Sequence, residues 1–174
     1  MIKLISKIFI LISLCLYQNS LQAEVPYILD FKYILNESEA GKKAQKFLQS
    51  KLSSGLKNIK EKEKSIQEEE KKIIQQKKII TQEEYKKKVT GLRNKVSKLQ
   101  KERNTLLETV SKQRTKARNE LLKNLNPIIR EYMKEKKIRM VVDKKSLLLA
   151  DENLNITKEI MDLLNKKLKS ISLK

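Results

Sequence analysis

The sequence predicts an α+β chain in which a small β-rich oligomerisation body carries one long antiparallel helical coiled-coil hairpin per subunit. Three observations predict it. Residues 41–133 keep a helical pattern with 26 Lys/Arg against 11 Asp/Glu, and their apolar residues form a stripe too narrow to bury a globular core. That stripe recurs at 3.5 residues on average, the coiled-coil period. Short β-rich runs flank it, at 24–40 and 134–174.

Residues 1–23 read as a secretory signal peptide. Lys3 and Lys7 make a basic start, Ile8 to Tyr17 is apolar, and a polar stretch ends at Ala23, the expected cleavage position. The apolar run is too short for a bilayer, which needs about 20 residues. Cys15 follows Leu14, where lipid attachment would need a small residue. It is the one cysteine, so the exported chain would carry no disulfide. The formal net charge is +19, concentrated in the arm region. An export signal turns such a charge away from nucleic acid and toward acidic polypeptides or lipid head groups in the periplasm.

Val25 to Phe31 alternates apolar residues at Val25, Tyr27, Leu29 and Phe31 and is expected to be a strand, with Pro26 at its start or edge. Asn36 and Glu39 have capping-box spacing, which places a helix start there. On the outgoing arm Leu52, Ile59, Ile66, Ile73 and Ile80 recur every seven residues, while the complementary heptad position is polar at Lys62, Glu69 and Gln76. The return arm carries Tyr85, Val89, Leu92, Val96, Leu99, Leu106 and Val110, interrupted by Arg103. Thr81-Gln82-Glu83-Glu84 is a capping box that restarts a helix, so the tip is expected near 79–81, with arms of about 60 Å. No Gly or Pro marks the tip, and one uninterrupted helix is the alternative. The cap and the change in stripe phase favour the hairpin.

Gly55 and Gly91 read as tolerated helical glycines, each costing about 1 kcal/mol relative to Ala. Pro127 leaves the Lys123 carbonyl without a helical partner and is expected to kink the axis. Beyond the arm, Ile138 to Asp143 and Leu147 to Ala150 read as strands joined by a polar turn at Asp143 to Ser146. Thr157 reads as an N-cap, with Ile156 and Met161 as a hydrophobic staple. Ile160, Leu163, Leu164, Leu168 and Ile171 form the apolar face of a closing helix. Three short strands and one helix make a marginal domain alone, so the body is expected to self-associate.

There is no histidine, and after export no thiol. That removes the commonest general base, Ser and Cys triads and zinc sites. The three glycines stand apart, so no phosphate-binding loop exists. Glu68-Glu69-Glu70 is a solvated run, since successive helical residues point in different directions. No cofactor, no metal and no enzymatic activity are expected.

Tyr27-Ile28-Leu29-Asp30-Phe31, Ile34-Leu35-Asn36-Glu37-Ser38 and Ala40-Gly41-Lys42 resemble the opening of the Skp/OmpH family of periplasmic outer-membrane-protein chaperones. The resemblance continues through the basic hairpin, Asn126-Pro127-Ile128, Met140-Val141-Val142-Asp143, Leu148-Leu149-Ala150-Asp151 and Asn155-Ile156-Thr157. It departs at Leu149, where the family often has Tyr, and at Asn155, where Asp is usual. The resemblance implies a homotrimer whose shared body splays three hairpins around a cavity. It also implies an ATP-independent holdase that encloses unfolded outer-membrane β-barrel precursors and prevents their aggregation. Candidate substrate contacts are diffuse: Lys71, Lys72, Lys77, Lys78, Lys86, Lys87 and Lys88 flank the expected tip, and acidic clients would be drawn to them. Alternative functions are binding of an acidic lipid or lipopolysaccharide surface and a structural coiled-coil role in the envelope. The arms lack the aromatic face of an interfacial helix, which ranks lipid contact as auxiliary.

Overall fold

The computed structural model describes residues 25–173; the export signal read at 1–23 lies outside the described residues. In chain order the elements are β1 (Tyr27–Leu29), α1 (Phe31–Glu37), α2 (Glu39–Gln76), α3 (Gln82–Glu135), β2 (Val141–Asp143) and α4 (Thr157–Lys167). Single 3-10 turns lie at Lys144–Ser146 and Glu152–Leu154. The helices α2 and α3 form the hairpin, about 57 and 81 Å long by the helical rise. The small sheet and α4 gather at its root.

β1 and β2 pair in parallel, Tyr27 with Val141, Ile28 with Val142 and Leu29 with Asp143. The whole hairpin is therefore the crossover between two parallel strands. On its other edge β1 bridges Asn155, and the Ile156 N–H donates to the Ile28 carbonyl. With both edges engaged, Ile28 and Leu29 are buried on opposite faces of the strand.

The strand is shorter than the alternation of Val25 to Phe31 suggests. Asp30 ends it: its carboxylate accepts from the Tyr33 N–H at 2.8 Å and caps α1, which starts at Phe31. Ser38, not Asn36, caps α2 by accepting from the Gly41 N–H; Asn36 lies inside α1 and accepts instead from the Gln45 amide. The α1–α2 corner is tight enough that a Cβ on Gly41 would lie 2.2 Å from the Leu35 carbonyl oxygen.

α3 continues through Pro127 to Glu135. Its end is a Schellman motif, with Ile138 N–H on the Met133 carbonyl and Lys137 N–H on that of Lys134. Lys137 takes the left-handed position at φ 55°. That turn uses up the start of the Ile138–Asp143 run, and only Val141–Asp143 remains as strand.

The expected strand Leu147 to Ala150 does not form. Asp143 caps a 3-10 turn through the Lys145 N–H, and β1 has no free edge for the chain beyond it. Leu148 and Leu149 stand fully in solvent, 101% and 95% exposed. Thr157 is likewise not an N-cap: it is the first residue of α4, and its hydroxyl accepts the Asp30 N–H at 2.9 Å and reaches Asn155 Oδ1 at 2.6 Å. Asn155 Oδ1 also accepts the Thr157 N–H.

The body core centres on Leu29, Ile34, Leu125, Ile160 and Leu164, all fully buried. Leu121, Ile128 and Ile129 join them, so the root of α3 supplies apolar mass that the flanking segments lack. Leu163 departs from the expected α4 face and is 38% exposed. Beyond α4 the chain runs non-helically back along the arm root. There Leu173 is buried with Ala44, Leu48, Val110 and Ala117.

Candidate functional site

The arms hold few apolar contacts per turn, so their pairing depends on where polar residues meet. Ile59, Ile73 and Leu99 are buried in the seam, and Leu52, Ile66, Leu92 and Leu106 are half-buried. Val96, expected in this seam, is half in solvent.

The polar heptad positions of the outgoing arm each find a partner on the return arm. Lys62 meets Glu102 at 2.6 Å, Glu69 meets Lys95 at 2.6 Å, and Gln76 accepts from Lys88 at 2.6 Å. These rungs step down one helix and up the other at seven-residue intervals. Arg103, the break in the return stripe, pairs with Glu63. Such exposed links contribute at most about 1 kcal/mol each; their effect is to set register. Polar gaps in a stripe give no partner by themselves, which is why sequence reasoning missed the ladder. Opposite charges recurring at matched heptads on the two halves were the available signal. At the rung nearest the body, the Lys62 ammonium bonded to Glu102 holds that carboxyl below the usual glutamate range.

The tip is built without a left-handed residue. Lys77, Ile79 and Ile80 donate backbone bonds to the carbonyls of Ile74 and Gln76, and Thr81 with Glu84 forms a reciprocal capping box at the start of α3. No glycine is required there, and none occurs.

The seven lysines flanking the tip are all exposed. Lys88 is spent on Gln76, and the Lys77 ammonium lies 5.8 Å from the Tyr85 ring centroid. The ammonium groups of Lys71, Lys72, Lys78, Lys86 and Lys87 have no ion-pair or hydrogen-bond partner among the described residues. They lie on both helices and in the turn that joins them. Ile74 and Ile79, 58% and 83% exposed, lie among them. The tip therefore presents unpaired positive charge next to loose apolar surface, and the same mixture continues at Leu56, Val96 and Leu107.

At the arm root, a partly enclosed cleft of about 540 Å³ opens between α2 and α3. Its floor includes Ala44, Leu48, Val110 and Ala117, with Arg114 and Arg118 on the α3 rim. Among the described residues there is no group of acidic side chains able to hold a metal ion, and no helix long and apolar enough to cross a membrane.

Comparison with known proteins follows the same outline. A family described as outer membrane protein (OmpH-like) matches residues 27–164. The crystal structure of a candidate outer membrane chaperone (OmpH-like) from Caulobacter crescentus CB15 is similar in fold. Its TM-score is 0.78 at 18% identity, covering 90% of this chain and 94% of that one. No curated protein sequence matches.

Proposed function

Because the chain belongs to the OmpH-like outer membrane protein family, we propose that it is an ATP-independent periplasmic holdase for unfolded outer-membrane β-barrel precursors. The observation that carries this reading is the hairpin itself: two long helices projecting from a small body, with lysines around the tip that no acidic side chain among the described residues neutralises.

An unfolded barrel precursor exposes alternating apolar residues and unpaired backbone. Basic arms attract acidic clients within about 8 Å at physiological salt, and the exposed Ile74, Ile79 and Val96 add weak apolar contacts. Many weak contacts within one enclosure hold a chain without a fixed pose. The client leaves because its folded state in the membrane lies lower in free energy, so no nucleotide is consumed.

The enclosure requires several arms on one body, and we infer a homotrimer. Met140, Leu147, Leu148 and Leu149 crowd one stretch of the body with large exposed apolar groups, more than an isolated subunit would leave in water. This supports self-association, and the number three comes from the family resemblance.

The test is suppression of aggregation of an unfolded barrel protein, run beside liposome co-sedimentation, with solution mass and scattering of the same sample. Suppression by a hollow trimer without lipid is the expected result. Reversing Lys71, Lys72, Lys78, Lys86 and Lys87 to Glu should weaken capture and flatten its salt dependence. A compact monomer, or liposome binding without suppression, would overturn the proposal.

A further inference from the structure

The seam between α2 and α3 at the arm root already binds one peptide segment, the chain's own tail. Leu173 inserts among Ala44, Leu48, Val110 and Ala117. Its main-chain carbonyl accepts from the Gln113 amide, whose oxygen in turn accepts from Lys51 Nζ at 3.0 Å. Lys169 secures the approach through Glu39 at 2.9 Å. The mode of recognition is thus an apolar side chain between small residues and a main-chain bond to a glutamine.

The 540 Å³ cleft uses the same four apolar residues from the other side of the seam. Gln113 and Arg114, adjacent in sequence, lie 100° apart around α3, which puts the tail on one side and the cleft on the other. The cleft exists because Gly41, Ala44 and Ala117 are too small to fill it, and Gly41 cannot be enlarged against the Leu35 carbonyl. Gln49 lines the cleft from α2, and its side chain has no partner among the described residues. On its α3 rim Arg114 and Arg118, one helical turn apart, are likewise without ion-pair or hydrogen-bond partners among the described residues.

We propose that this cleft is a peptide-binding site for a short client segment that seats one apolar side chain between α2 and α3 and places a carboxylate on Arg114 and Arg118. The site deepens the holdase reading and rests on it. It would supply one defined contact, near the body, in an otherwise diffuse enclosure. A guanidinium pair at this spacing suits a carboxylate, and the apolar floor suits an aliphatic side chain beside it.

The probe is a fluorescein-labelled Ser-Ile-Ser-Leu peptide, copying the tail at 170–173, with a free carboxylate or a carboxamide and with photoleucine as its leucine. The free acid should bind the full protein about fivefold tighter than the amide, as two exposed charge pairs allow. Arg114→Glu with Arg118→Glu should abolish that preference while Gln113→Ala preserves it, and crosslinks should map beside Gln49 and Arg118. Equal binding of acid and amide, or crosslinks confined to Lys51 and Gln113, overturns the proposal. So does binding of decanoate at the arginines without binding of the peptide. Aggregation suppression by the double arginine variant is measured in parallel: if it persists while peptide preference is absent in the wild type, only the cleft proposal has failed.

Discussion

Gly55 of α2 lies directly against Leu106 of α3: a Cβ on the glycine would meet Leu106 Cδ2 at 2.5 Å. The helices approach closely here because one side contributes no side chain. Gly91, the other arm glycine, has nothing within 4 Å of the corresponding position. The two glycines, equivalent in sequence, should therefore respond differently to alanine. Gly91→Ala is expected to gain about 1 kcal/mol from helix propensity alone. Gly55→Ala must displace Leu106 and is expected to gain little or lose stability. Denaturant unfolding followed by helical circular dichroism compares them, and equal gains would contradict the close packing.

Lys137 occupies the left-handed position of the Schellman motif that ends α3, at φ 55°. A side chain there costs about 1 kcal/mol relative to glycine. Lys137→Gly should stabilise the fold by about that amount, offset in part by greater freedom of the unfolded chain. Thermal unfolding measures the change; a loss of stability would mean that the lysine side chain makes a compensating contact.

Thr157 is a buried hydroxyl that links β1 to the start of α4 through Asp30 and Asn155. Thr157→Val keeps the shape but leaves the Asp30 N–H without its acceptor and removes one of the two bonds to Asn155 Oδ1, a cost of about 1–3 kcal/mol. Thr157→Ser keeps the hydroxyl and should lose less. Amide exchange at Asp30 reports the bond directly and should quicken in the valine variant while staying slow in the serine one.

Glu102 is held below the ordinary glutamate pKa by its hydrogen bond to Lys62 and by the Lys62 and Lys98 charges. The folded chain thus binds fewer protons than the unfolded chain across that interval. The contribution is fully present above the unfolded value, ~4.3, and is lost as pH falls through the lowered one. Glu102→Gln should weaken arm pairing at neutral pH and converge with the wild type in acid. Glu108, lowered chiefly by its bond to Lys112 on the same helix, should affect only α3 when replaced by Gln. Carboxyl NMR titration with exchange at Lys62 and Lys95 distinguishes the two; matching effects on the outgoing arm would refute the assignment.

The helical stretches, the start at Thr81 and the lysine clusters could be read from residues because each depends on neighbours a few positions away. The body was harder to read. Leu147 to Ala150 has strand composition, yet composition cannot supply an edge to pair with, and within this chain both edges of β1 are already taken. Asn36 and Thr157 have the chemistry of helix caps, but Ser38 and Ile156 hold those positions. The decisive bonds run instead to Gln45 and Asp30, the latter 127 residues away from Thr157.

Period, capping chemistry and charge are local properties, and the sequence alone determined through them a basic helical hairpin on a small mixed body. Which polar heptads face one another, where the tail inserts and which arginines are left beside an open cleft were decided only when the chain folded back. Those outcomes depend on distances between residues far apart in sequence, and no local pattern encodes a distance.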